Sequence, residues 1–182
     1  SAGSALAFDL AVQADGKPSP VRPPGDHVNE PGPRGKQNEQ LLGIEGSRMP
    51  VERYDNGVQH TFVALESEDD VVGLRPDFAA LTELRVMANC IAGSGARWKT
   101  RMVAAFAGVV EDAATGSAAG PLAVHVCRHA GVPWGEWIEI SQGIEIGRPS
   151  TLFARADGGD GQIVRVFCGG RAVVVARGEF RL

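Results

Sequence analysis

The chain has 182 residues, with 18 Lys+Arg against 22 Asp+Glu and a net charge of −4. That length holds one domain with a real core, and not comfortably two. A weakly acidic chain lacks the basic footprint of a nucleic-acid binder, and no apolar run approaches the ~18 residues of a membrane span.

Ala5 to Val12 alternates like a strand, and Asp15-Gly16 follows as a turn signal. Lys17 to Arg34 then holds six of the chain's 11 prolines. Proline fixes φ and removes a backbone donor, so this stretch reads as an extended linker. Residues 1–16 therefore read as the remnant of a preceding unit, 17–34 as a Pro-rich linker, and 35–182 as the main lobe. The opening Ser1-Ala2-Gly3-Ser4 does not have the basic-then-apolar pattern of a signal peptide.

Within that lobe, Lys36 to Leu42 suggests a short helix. Val51 to Tyr54 and His60 to Glu66 read as strands joined by the hairpin signal Asp55-Asn56-Gly57. The acidic run Glu66, Glu68, Asp69 and Asp70 reads as a solvated helix start. Phe78, Leu81 and Leu84 at spacing three predict a helix over Asp77 to Arg85. Val86 to Ala92 and Trp98 to Ala104 read as strands around Gly93-Ser94-Gly95. That loop lacks the third glycine of a dinucleotide fingerprint. Arg97, Lys99 and Arg101 alternate along the second strand and are expected to face water. Ala118 to Ala130 is the best helix, apolar on nearly all sides and so expected at the centre of the domain. Strands follow at Glu136–Ile140, Thr151–Ala156, Gln162–Phe167 and Ala172–Ala176, with turn signals at 158–161 and at Gly169-Gly170. Short strands and one central apolar helix predict an α+β fold, with the sheet curled around that helix over about 117–130.

The run from Val109 to Pro121 carries the chemistry. A strand end leads to Glu111 and Asp112, then to small residues, then to the apolar helix. The first turn of a helix offers unpaired N–H groups and the positive end of the dipole. Small side chains at Gly116 and Ser117 let a carboxylate or phosphate approach closely, and the Ser117 hydroxyl adds a donor. Asp112 beside such a turn suits proton transfer next to a carboxylate-bearing centre. The simpler alternative is a plain helix start with Thr115 or Ser117 as N-cap.

Three stretches resemble the phenazine biosynthesis PhzF family. They are EDAATGSAAGPLAVHV with Gln142 to Ser150, Tyr54 to Val63, and Asn89 to Trp98. The resemblance implies the diaminopimelate epimerase fold of two similar lobes, mostly antiparallel sheets each curled around a helix, with the active site between them. It implies a cofactor-independent isomerase, with no metal, that moves a proton within trans-2,3-dihydro-3-hydroxyanthranilate. It assigns Asp112 and Ser117 as the candidate catalytic residues, and Thr115, Gly116 and Ser117 as substrate-binding residues for a small anionic, aromatic-like carboxylate. The family's catalytic Glu and a Gly-His-Pro motif belong to the first lobe, and neither motif occurs here. The chain thus resembles the carboxyl-terminal two thirds of such an enzyme, its first lobe lost or supplied by a separate chain. A non-catalytic binding or accessory lobe is the alternative. A homodimer is expected by resemblance.

Other residues read more plainly. His125 and His129 share a helix face, but no third ligand at metal spacing is evident, and Cys127 points elsewhere. They read as one buried and one surface histidine. Arg148 reads as a structural ion pair. Glu145 is expected near the lobe surface. Asp112 acting alone as base would require burial. Cys90, Cys127 and Cys168 are odd in number and widely spaced. That favours a reduced, cytoplasmic setting over a disulfide or zinc framework.

Overall fold

The computed structural model describes residues 42, 46–159 and 162–170. The strands expected at 5–12 and 172–176, the linker at 17–34 and residues 36–41 lie outside the described residues. Among the described residues, eight strands form a single sheet in the order β1-β2-β3-β4-β6-β7-β8, with β5 pairing to β4 off that path. They are β1 (Glu52–Asp55), β2 (Gln59–Ala64), β3 (Ala88–Ser94), β4 (Arg97–Ala104), β5 (Val109–Asp112), β6 (Trp137–Gln142), β7 (Ser150–Gly159) and β8 (Gln162–Gly170). The pairings β2–β3 and β4–β6 are parallel, and the rest are antiparallel. Parallel neighbours need long crossovers. Helices α1 (Glu68–Gly73) and α2 (Phe78–Leu84) make the first, and α3 (Gly116–His129) lies in the second.

Local sequence explains each element. Ser67 and Asp70 close a reciprocal capping box on α1, as the acidic run suggested. Asp77 caps α2 by accepting from the Ala80 N–H. Antiparallel pairing of Gly159 with Gln162 reverses the chain, as the turn signal at 158–161 predicted, whereas Gly169 and Gly170 extend β8. Their pairing with the neighbouring strand supplies the backbone hydrogen bonds that a turn signal cannot anticipate.

The two faces of the sheet bury different things. On one face α3 packs with Phe62, Ile91, Trp98, Ile138, Ile140 and Ala154. It contacts β2 near one end of the strand order and β7 and β8 at the other. One helix can touch both only if the sheet wraps around it, so the α+β expectation holds. Gly120 permits this closeness, because a Cβ there would lie 2.6 Å from Val166 Cγ1. On the other face Leu42, α1 and α2 cover Val63, Cys90, Ala92 and Val103.

Alternation along β4 sends Lys99 and Arg101 to this second face, against expectation. α1 and α2 bury that face, so the two cations do not meet water. Lys99 is 2% exposed and its Nζ lies 2.6 Å from Glu145 Oε1. Glu145 lies near the lobe surface as expected, between exposed neighbours, but its side chain is only 9% exposed. Arg101 forms a fork with Glu111, at 3.0 and 2.8 Å, and also donates to the Val71, Val72 and Leu74 carbonyls at the end of α1. Arg148 is exposed and has no carboxylate within ion-pair distance among the described residues, so its expected ion pair is not found.

Removing one partner of a buried pair strands the other charge. Lys99→Met alone should therefore cost about 3–5 kcal/mol in urea unfolding, and Lys99→Met with Glu145→Leu should recover most of that loss. Equal cost in the single and double variants would contradict a buried ion pair.

Candidate active site

The turn between β5 and α3 sits where two strands share one edge of β4. Antiparallel β5 pairs with its later half, Met102 opposite Asp112. Parallel β6 pairs with its earlier half, Lys99 opposite Ser141. The ends of β5 and β6 therefore meet beside the middle of β4, and Gln142 arrives next to Asp112.

Gln142 ties the turn together. Its Nε2 donates to the Asp112 carbonyl and to Thr115 Oγ1, both at 2.8 Å. Its Oε1 accepts from the Thr115 N–H at 3.1 Å. The Thr115 hydroxyl donates to Asp112 Oδ2 at 2.7 Å. Gly143 must be glycine here: its φ is +80°, and a Cβ would lie 2.7 Å from the Ala113 carbonyl oxygen.

Thr115 occupies the N-cap position, yet its side chain makes no capping hydrogen bond. Its one hydroxyl proton is spent on Asp112. The N–H groups of Gly116 and Ser117, the first two residues of the helix, have no intrahelical acceptor. Thr115 is buried and holds Asp112 from inside the turn. Asp112 is half-buried.

Ser117 is held from the other side. Pro121 lies inside α3 and has no N–H, so the Ser117 carbonyl loses its i+4 donor. Asn56, in the β1–β2 turn, donates to that carbonyl at 2.8 Å. The Ser117 Oγ lies 3.1 Å from His60 Nε2. Asn89 fixes the direction of this bond. Its Nδ2 donates to the Thr61 carbonyl and faces His60 Nδ1, each at 3.4 Å. His60 Nδ1 is therefore the acceptor, and Nε2–H donates to Ser117. The Ser117 proton remains available to a ligand.

Sequence reasoning brought out Asp112, Thr115, Gly116 and Ser117, and the structure gathers them in one turn. It missed His60, Asn89, Gln142 and the second role of Asn56. Their signal was present, since all four lie in the stretches that carry the resemblance. At the far end of α3, Glu52 of β1 lies against both His125 and His129, a third ligand-type group that sequence spacing did not show.

The sequence profile of the PhzC-PhzF family, described as phenazine biosynthesis-like protein, matches residues 26–178. The chain belongs to the PhzC-PhzF family. A trans-2,3-dihydro-3-hydroxyanthranilate isomerase from Pseudomonas chlororaphis is 53% identical over 144 residues, covering 79% of this chain and 52% of the relative. Its namesake from Pseudomonas fluorescens is 52% identical with the same coverage. The chain thus spans about half the length of the curated relatives it matches. A PhzF-family phenazine biosynthesis protein from Bacillus anthracis superposes with a TM-score of 0.59 at 15% identity, covering 79% of this chain and 56% of that one. That likeness shows the fold.

Burial pushes the His60 imidazole down to about 4 from its ordinary 6.5. The folded state therefore holds His60 neutral where the unfolded chain would protonate it. Its contribution is complete above pH 6.5 and is lost as pH falls toward 4, by up to about 3 kcal/mol. His60→Gln keeps a donor for Ser117 and should remove this acid-side loss, measured as unfolding free energy against pH. A wild-type and variant difference that is flat from pH 7 to pH 4 would contradict a neutral, buried His60.

Proposed function

We propose that this chain is the substrate-binding lobe of a cofactor-independent isomerase that acts on trans-2,3-dihydro-3-hydroxyanthranilate or a closely similar cyclic amino acid. The observation that carries the reading is the turn itself: Gly116 and Ser117 N–H groups left uncapped beside the oriented carboxylate of Asp112. The names of relatives more than half identical across most of the chain supply the substrate.

The substrate carboxylate docks on the Gly116 and Ser117 N–H groups and takes the Ser117 hydroxyl proton as a third hydrogen bond. Asp112, held by Thr115, faces the amino or hydroxyl group of the ring. Proton transfer within the ring falls to a carboxylate of the first lobe, the role that family resemblance gives to its Glu. Glu111 and Glu145 cannot take that role, because they are committed to Arg101 and Lys99. Beside the turn, Val110 is 55% and Ile144 is 53% exposed, which suits a surface completed by a second lobe. The same reading makes the complete enzyme a cytoplasmic homodimer. Among the described residues, no helix is long and apolar enough to cross a membrane.

The commitment of Glu111 and Glu145 to cations also favours a second reading, in which the lobe binds an aromatic carboxylate or a partner chain without turnover. One assay separates the two. The chain is fused to the first lobe of the Pseudomonas fluorescens relative and supplied with trans-2,3-dihydro-3-hydroxyanthranilate. The isomerase reading expects turnover, with Asp112→Asn lowering kcat/KM by about 100-fold or more and Ser117→Ala acting mainly on KM. Substrate binding without turnover in the fusion would establish the binding-lobe reading instead. Turnover by the unfused chain would overturn the assignment of the base to the first lobe.

A further inference from the structure

The far half of α3 carries a second cluster of chemistry-bearing groups that the anion turn does not use. His125 and His129 are four residues apart and so share one face of the helix. Strand β1 lays Glu52 and Tyr54 across that face. His129 Nε2 lies 3.0 Å from Glu52 Oε2, and His125 Nδ1 lies 3.7 Å from the same oxygen. The Tyr54 hydroxyl donates to Glu52 Oε2 at 2.6 Å and stands 3.1 Å from His125 Nδ1. The three ligand-type atoms all fall within 4.8 Å of one another.

We propose that Glu52, His125 and His129 form a binding site for a divalent transition-metal ion of the zinc class. Two nitrogen or oxygen ligands at zinc distances in a tetrahedral site stand about 3.3 Å apart. The two measured separations bracket that value, so small side-chain shifts admit an ion. His129 Nε2 is buried close to the carboxylate, yet no partner among the described residues meets hydrogen-bond geometry at that nitrogen. An N2O donor set suits zinc, and cobalt and nickel bind the same set.

The side chains of Glu52 and His129 are 13% and 20% exposed, while His125 is fully buried. An ion would therefore enter from the Glu52–His129 side, with water completing the tetrahedron. Cys127 lies between the two histidines in sequence but turns away, its thiol facing the Pro133 carbonyl at 3.8 Å. His125 stands eight residues beyond Ser117, about 12 Å along the helix. An ion here therefore does not touch the substrate. It joins β1 to α3, the two elements that Asn56 also ties together at the other end.

Cobalt titration of the 182-residue chain tests this directly, because tetrahedral Co2+ absorbs visibly and free Co2+ hardly does. Saturable visible absorption, competed by Zn2+ and without the near-ultraviolet band of a cobalt–thiolate bond, is expected. Zn2+ should also raise Tm. His129→Ala and Glu52→Gln should each weaken Zn2+ binding by more than about tenfold with the far-UV spectrum unchanged, whereas Cys127→Ser should not. Two variants are used so that one misfolded protein does not decide the matter. Wild-type protein that shows no saturable absorption, or either folded variant binding as tightly as wild type, overturns the proposal. Loss of isomerase activity has no bearing on this result, and loss of metal binding has none on the anion turn.

Discussion

One edge of β4 is divided between β5 and β6, and the geometry of the candidate site follows from that division. A strand normally gives each edge to one neighbour. Here antiparallel β5 takes the later half and parallel β6 the earlier half. Their ends abut, so Asp112 and Gln142 meet although 30 residues separate them in sequence. The chain leaving β5 has nowhere to pair and enters α3 at once. A helix start is thereby fixed beside a carboxylate, with Gln142 supplying the hydrogen bonds that a continuous ladder would have given.

The helix start is then left short of partners on purpose-built terms. The Thr115 proton goes to Asp112, so the first turn lacks its side-chain cap. Pro121 removes the donor for the Ser117 carbonyl, and Asn56 replaces it from the β1–β2 turn. His60, oriented by Asn89, satisfies the Ser117 oxygen and leaves its proton outward. Each change exchanges an intrahelical interaction for one with the surrounding sheet. The result is a first turn held rigidly by its neighbours while its N–H groups stay open. Such preorganisation is what makes hydrogen-bond donors effective toward a developing or resident charge.

Much of this was legible in the residues. The strands, the two capped helices and the central helix follow from period and turn chemistry, and the anion turn follows from small residues placed between a carboxylate and an apolar helix. What could not be read was tertiary. Lys99 and Arg101 look like a solvated stripe, because alternation shows that they share a face and not that α1 and α2 cover it. Thr115 looks like a cap or a ligand contact, because its commitment to Asp112 depends on Gln142 arriving from another strand. Asn56 looks complete as a hairpin residue. Gly169 and Gly170 look like a turn until their pairing with β7 is known. Glu52 joins the two histidines only after β1 is laid on α3.

The proposed account is of a lobe that binds the anionic end of a small ring and leaves proton movement to another part of the enzyme. Its central claim concerns the open N–H groups. Anthranilate carries a carboxylate and a neighbouring amino group like the proposed substrate, and it can be titrated into the 15N-labelled chain. The account predicts saturable shifts centred on the Gly116 and Ser117 amides, lost in Asn56→Ala protein that keeps its fold. Shifts that are absent, or that centre elsewhere and survive Asn56→Ala, would contradict it.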